Sequence, residues 1–259
     1  MSNDLGDFLR ARRAAAGLDP DIRAVTNRRR VTGLRREEVA AAAGISVDYY
    51  TRLEQGRETH PSDAVLEALV RVLRLTPDGR EHLYRLRGLV PSIIHGVADD
   101  PQHLHDRVSA LVAAVRPNPA YVMDRLSNMI AANPEALVLF NGFADLPPDQ
   151  RNTCRYLMTD PRAREVFVEW DEIARGAVAH LRSANADDLQ RAELRSLVSE
   201  LRSQSSLFAE WWNEHIVERR RTSIKHIVVN GDVVARRHEV LYLPEDNLRM
   251  TLWLTPGGF

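Results

Sequence analysis

The chain reads as two domains, an all-α domain of five helices followed by an α+β domain with an antiparallel sheet. Three observations carry this. Up to residue 90 the apolar residues recur at helical spacing and no alternating strand pattern occurs. Residues 90–105, VPSIIHGVADDPQHLH, then lose periodicity and bring two prolines, a glycine and three histidines. Beyond residue 117 two short strand-like segments precede a series of helices, and three strand-like segments close the chain. The expected division is 1–90 for the first domain, 91–116 for a linker with a connecting helix, and 117–259 for the second domain.

Leu5, Phe8, Leu9 and Ala16 set a first amphipathic helix over residues 5–16, closed by Gly17. A loop through Asp19-Pro20 and the arginine run Arg28–Arg30 follows. Residues 34–57, LRREEVAAAAGISVDYYTRLEQGR, read as two short helices. The first is alanine-rich, with Arg36, Glu37 and Glu38 at its start. Gly44 ends it, because glycine takes a left-handed conformation without steric cost. Ser46 is a good N-cap for the second helix, which stops at Gly56. His60-Pro61-Ser62 turns the chain into a fourth helix with the stripe Val65, Leu66, Leu69, Val72 and Leu73. Thr76-Pro77-Asp78 opens a fifth, containing Leu83, Leu86 and Leu89.

In the second domain a helix is expected over Leu104–Val115, and Pro117-Asn118-Pro119 resets the chain. Ala120–Met123 and Asn128–Ala131 read as strands, and Asn133-Pro134 starts a helix through Phe140. Helices over 148–159, 161–184 and 187–203 follow, then a short one capped by Ser205 or Ser206. Thr222–Val229, Val233–Leu243 and Leu248–Thr255 are the closing strands, with Asn230-Gly231-Asp232 as a hairpin turn. This order gives an antiparallel sheet with helices across one face.

With 259 residues, 44% hydrophobic and 27% charged, the chain has the composition of an ordinary globular protein with room for two cores. No run of about 18 uncharged apolar residues marks a membrane span, and MSNDLGDFLRARR has no signal-peptide core. A single cysteine, Cys154, excludes an intrachain disulfide and points to a reducing cytoplasm. The net charge of −1 hides an N-terminal excess: residues 1–60 hold 11 Arg against 9 acidic residues, and Arg28, Arg29, Arg30 and Arg35 cluster before the helix pair. Binding to DNA is compatible with that balance, though charge-only binding would be modest and salt-sensitive.

A tight Gly turn between two short helices, the second polar enough to lie in a groove, is helix-turn-helix logic. Val47, Asp48, Thr51 and Arg52 would then face base edges, with Arg52 suited to guanine O6 and N7. Arg36, Gln55 and Arg57 sit near helix ends, where phosphates would be met, and Arg28, Arg29 and Arg30 form an arm toward the backbone or a plain solvated loop. In the second domain Arg151 and Asn152 open an apolar helix. They are either a surface first turn or the polar end of a pocket, where arginine would hold a carboxylate. Trp170, Phe208 and Trp212 are either helix packing or cavity lining. His103-x-His105 lacks a third ligand at metal-site spacing and reads as hydrated linker. Spacing assigns no catalytic triad, phosphate loop or carboxylate pair, so an enzyme is not expected.

Both halves resemble a bacterial regulator family. GLRREEVAAAAGISVDYYTRLEQGR is similar to the phage-repressor-type (Cro/repressor, xenobiotic-response-element) helix-turn-helix of actinobacterial regulators that carry an MmyB-like ligand-binding domain. PAYVMD, AANPEA, PPDQRNTCRYLMTDP, VFVEWDEIARGAVAHLR and SLFAEWWNEHIV resemble that second domain. The resemblance covers nearly the whole chain. It implies a PAS-like fold for the second domain and, in at least some members, a pocket for a fatty-acid-like ligand. Two positions depart from the family: Ala132 stands where an aromatic residue is common, enlarging or reshaping a pocket, and His226 is followed by Ile227 where His-Pro is usual. Expected partners are double-stranded DNA, a small apolar ligand and a second copy of the chain, since paired half-sites compensate for the small interface of one module. No cofactor is expected beyond a bound fatty acid or similar molecule. The alternative is a DNA-binding regulator whose second domain only dimerises or binds a protein partner.

Overall fold

The computed structural model describes residues 3–16, 33–88, 101–218, 222–243 and 247–255. They divide into two compact units.

The first unit contains five helices: α1 (Asp4–Ala15), α2 (Arg36–Ala43), α3 (Val47–Glu54), α4 (Asp63–Val72) and α5 (Pro77–Leu86). Three of them, α3, α4 and α5, start where a side chain satisfies a free amide of the first turn. Ser46, Ser62 and Thr76 accept from the amides of Tyr49, Val65 and Gly79, an arrangement worth about 1 kcal/mol per cap. Glu38 reaches back to the Arg35 amide at 2.8 Å, and Gly44, at φ +69°, lets Ile45 N–H close onto Ala40 C=O. Leu5, Phe8 and Leu9 of α1 bury against Val39, Tyr50, Leu53, Leu66, Leu69 and Leu83, at roughly 1.5–3 kcal/mol for each large side chain. Residues 186–190 and 213–218 belong to this unit as well.

The second unit begins with α6 (Pro101–Ala114), β1 (Ala120–Met123), β2 (Met129–Ala132) and α7 (Pro134–Leu139). Two single 3₁₀ turns lead to α8 (Thr153–Thr159), α9 (Arg162–Val166), α10 (Trp170–Ala184), α11 (Ala192–Gln204) and α12 (Ser206–Asn213). Then β3 (Ser223–Val229), β4 (Asp232–Leu243) and β5 (Leu248–Leu254) complete a five-stranded sheet ordered β2-β1-β5-β4-β3, antiparallel throughout. Asn230 and Gly231, at φ +52° and +89°, make the tight turn expected between β3 and β4.

Side-chain alternation gives the sheet two faces. On one, Val122, Ala131, Leu248, Met250 and Leu252 pack against Val108 and Val112 of α6. On the other, Tyr121 meets Phe140 at 5.0 Å, Trp253 meets Phe167 at 5.7 Å and Tyr242 meets His180 at 6.2 Å. Helices therefore cover both faces, where the sequence reading placed them on one.

The expected helix 161–184 is in fact two helices. At Phe167 the backbone becomes extended and forms a bridge with Ile227 of β3, and Val168 N–H donates to His226 C=O at 3.1 Å. Glu169 then accepts from the His226 amide at 2.9 Å and contacts His226 Nδ1 at 2.5 Å. The chain leaves the helix because an edge strand offers partners for its backbone groups. The helix expected from residue 148 is likewise a 3₁₀ turn followed by α8, since residues 151–152 are drawn to β2: Met129 N–H donates to Arg151 C=O and Asn128 bridges Asn152.

Candidate nucleic-acid interface and ligand-binding half

In the first unit α3 is divided by burial. Tyr50, Leu53 and Glu54 are buried, whereas Val47, Asp48 and Arg52 are exposed and Thr51 is half-buried. One side of the helix is thus free to meet a groove. Arg52 Nη1 lies 2.6 Å from Asp48 Oδ2, one turn earlier, and its guanidinium stands 5.7 Å from the Tyr49 ring centroid. The residue expected to read guanine is therefore held along the helix by two neighbours. Thr51 Oγ1 donates to Val47 C=O at 2.8 Å.

Gln55 and Arg57 are exposed just past the end of α3. Arg36, expected to contact phosphate, sits at the first residue of α2 and directs its Nε to Glu54 at 2.7 Å. The Arg13 guanidinium takes the same carboxylate through two nitrogens, at 2.6 and 3.2 Å. Burial opposes ionisation of Glu54, but the Arg13 and Arg36 hydrogen bonds outweigh it and hold the carboxyl below its ordinary value. α1, α2 and α3 are pinned together through this carboxylate. The expected arm Arg28, Arg29 and Arg30 lies outside the described residues.

Among the residues expected at a ligand pocket, Trp170 meets Trp211, ring centroids 6.2 Å apart, on the helix that also carries Phe208 and Trp212. Arg151 Nε donates to the carbonyls of Phe143 at 2.8 Å and Leu146 at 3.0 Å, bracing the turns before α8. Asn152 is buried; it caps α8 by accepting from Arg155 N–H and donates to Leu126 C=O and Asn128 Oδ1. Trp170 Nε1 donates to Leu157 C=O, and the Arg164 guanidinium lies 3.6 Å from its ring centroid. Phe208 is wholly buried and stacks on Trp212 at 5.7 Å, while Arg182 covers Trp212 at 4.1 Å. These contacts are those of bracing and packing.

The sequence reading missed the polar content of the sheet's inner face. His238, Arg249 and Thr251 are buried there beside Tyr121, Met123 and Trp253. Thr153 Oγ1 donates to Met123 Sδ at 3.0 Å, Arg249 lies 3.6 Å from the same sulfur, and His238 packs edge-on to Trp253 at 4.9 Å. The signal was present in β5, where Arg249, Thr251 and Trp253 alternate with Leu248, Met250 and Leu252. A strand covered on both faces can still carry a polar row on one of them.

Among the described residues no group of three His, Cys, Asp or Glu could hold a metal ion, and His103 and His105 lie in α6. Cys154, the single cysteine, is buried. No helix among the described residues is long and apolar enough to cross a membrane.

A helix-turn-helix unit followed by an α+β domain with a five-stranded antiparallel sheet defines a DNA-binding transcription regulator with a ligand-binding domain. Residues 4–83 match a helix-turn-helix domain family. Residues 104–257, more than half of the chain, match the family described as MmyB-like transcription regulator ligand binding domain, and the chain belongs to that family. No match was found among curated proteins.

Proposed function

We propose that the chain is a cytoplasmic, homodimeric regulator that reads a specific DNA sequence through α3 and senses a small apolar ligand, fatty-acid-like in carrying an anionic end, through a PAS-like second domain. The DNA half rests on one observation: Val47, Asp48 and Arg52 present an exposed edge, two of its three residues charged, on a helix whose other side is locked into the core. Arg36, Gln55, Arg57 and the Arg28–Arg30 run would meet phosphates.

The ligand half is supported by the sheet's inner face. Trp253 packs edge-on to buried His238, Arg249 is buried on the same face beside Met123, and a buried guanidinium is suited to a carboxylate. On this reading Arg249, rather than Arg151, meets the head group. Ligand binding favours one arrangement of the dimer and so shifts the population that matches operator spacing.

Native mass spectrometry of protein purified from cells, with thermal shift against long-chain acids, tests the sensor. A bound mass, or a stabilisation that Arg249→Ala removes and Arg151→Ala leaves, is expected. A clean apo mass with no stabilisation by any acid would leave the second domain as a dimerisation or partner platform.

A further inference from the structure

Asn213–Glu218 lies between α12 and β3 in the chain, yet it belongs to the first unit. The chain crosses from the second unit to the first at the Trp212–Asn213 bond, and both sides of that bond are anchored. Before it, buried Arg182 of α10 donates to Trp212 C=O at 2.7 Å and lies over the indole at 4.1 Å. After it, Glu214 C=O accepts from Arg12 of α1, and Val217 enters the apolar core formed with Leu5, Phe8 and Leu9. Between the anchors His215 stands at φ +50°. A non-glycine residue holds that left-handed conformation only while its surroundings fix it.

Each anchor leads on to a functional side chain. On α10, His180 meets Tyr242 at 6.2 Å, and Tyr242 stands opposite Arg249 in the β4–β5 register. In the first unit, α1 grips the end of the DNA-facing helix. Asn3 and Arg10 donate to Glu54 C=O at 2.8 and 2.9 Å, and Arg13 takes the Glu54 carboxylate. Residues 186–190 also reach α1, but through an exposed contact from Gln190 to Asp4 at 3.4 Å. Val217 is the stronger lever, because a close-packed core transmits displacement that a solvated contact absorbs.

We propose that Asn213–Glu218 is the coupling element of the regulator. Occupancy at Arg249 alters α10 and its hold on Trp212, the bend at His215 carries the change, and Val217 delivers it to α1 and so to α3. This rests on the sensor reading above. Fluorescence anisotropy of the full chain on a selected duplex, with and without palmitate, tests it. A variant with Gly-Ser-Gly-Ser inserted between Asn213 and Glu214 keeps both anchors and slackens the link between them. Palmitate should change the wild-type affinity for the duplex about fivefold or more. In the inserted variant palmitate still raises the melting temperature and the duplex still binds, but the ratio of affinities falls to near one. If the insertion unfolds the first unit, His215→Gly, which loosens the bend alone, must lower the ratio. An unchanged ratio would overturn the coupling role, as would palmitate that stabilises the wild type and leaves its duplex affinity unaltered. Absence of palmitate binding would count against the sensor reading, and a ligand-free measurement then decides the coupling. Arg182→Gln releases Trp212 and should quicken amide exchange in α1 about tenfold, with β5 unaffected. Unaltered exchange in α1 would overturn the inference.

Discussion

Arg36 at the start of α2 reaches Glu54 at the end of α3, with 2.7 Å between guanidinium Nε and a fully buried carboxylate. The ion pair spans the turn of the helix pair, and Arg13 of α1 completes it at 2.6 Å. Breaking a buried pair from one side strands the other charges. Because both arginines keep part of their guanidinium exposed, Glu54→Gln should cost the first unit about 2–3 kcal/mol. Urea unfolding followed by hydrogen exchange within residues 36–54 measures it; an unchanged midpoint would mean that the clasp adds nothing.

The same carboxylate sets a pH dependence. Its folded pKa lies below the ordinary value, so its contribution is complete above the ordinary carboxylate range and disappears as pH falls through the depressed folded value. Wild type should therefore lose more stability than Glu54→Gln as pH is lowered through and below about 4.5. Parallel curves for the two proteins would contradict this.

Arg52→Ala should relax preference at one base pair by about 1–3 kcal/mol and leave the fold intact, because its ion pair with Asp48 is exposed. Fluorescence anisotropy against a selected duplex and its single-base variants reads the change. Wild-type discrimination in the variant would mean that α3 is oriented differently on DNA.

Asn133 should be the costliest polar residue of the second unit. Buried between α6, β1 and α7, its amide oxygen accepts from Ala120 and Ala136 amides, both at 3.0 Å. Its nitrogen donates to Val112 and Asn118 carbonyls at 3.1 and 2.8 Å. Asn133→Ala leaves these groups with reduced hydrogen bonding, and a loss of about 3 kcal/mol is expected in thermal or urea unfolding. A loss below about 1 kcal/mol would show that water replaces the amide.

Glu169→Ala removes the acceptor of the His226 amide. Exchange at that amide should quicken about tenfold, the equivalent of one ordinary hydrogen bond, while the bridge between Phe167 and Ile227 persists. Exchange spreading over all of β3 would show that the carboxylate holds the whole edge.

Local chemistry made much of this fold legible. The caps at Ser46, Ser62 and Thr76, the left-handed Gly44 and the Asn230-Gly231 turn each act within a few residues of themselves. The break at Phe167 was not legible, because apolar spacing continues through it and its cause, β3, lies some sixty residues further on. Glu54 reads as one more surface charge in TRLEQGR; its interior place shows only in the fold, where Arg13, 41 residues earlier, and Arg36 converge on it. The exposed side of α3 follows from helical period and cap alone. The alternation in β5 sets Arg249, Thr251 and Trp253 on one face, but which helices cover that face is decided by contacts distant in sequence.

The bridge at Phe167 has a consequence for how copies of this chain meet. An edge strand with open amides and carbonyls is a template on which further strands can grow, and such growth has no natural end. Here the middle of that edge is already occupied by Phe167, Val168 and Glu169 of the same chain. Addition of a further strand along β3 is interrupted there, so fibre-like growth from that edge is closed off by the chain itself.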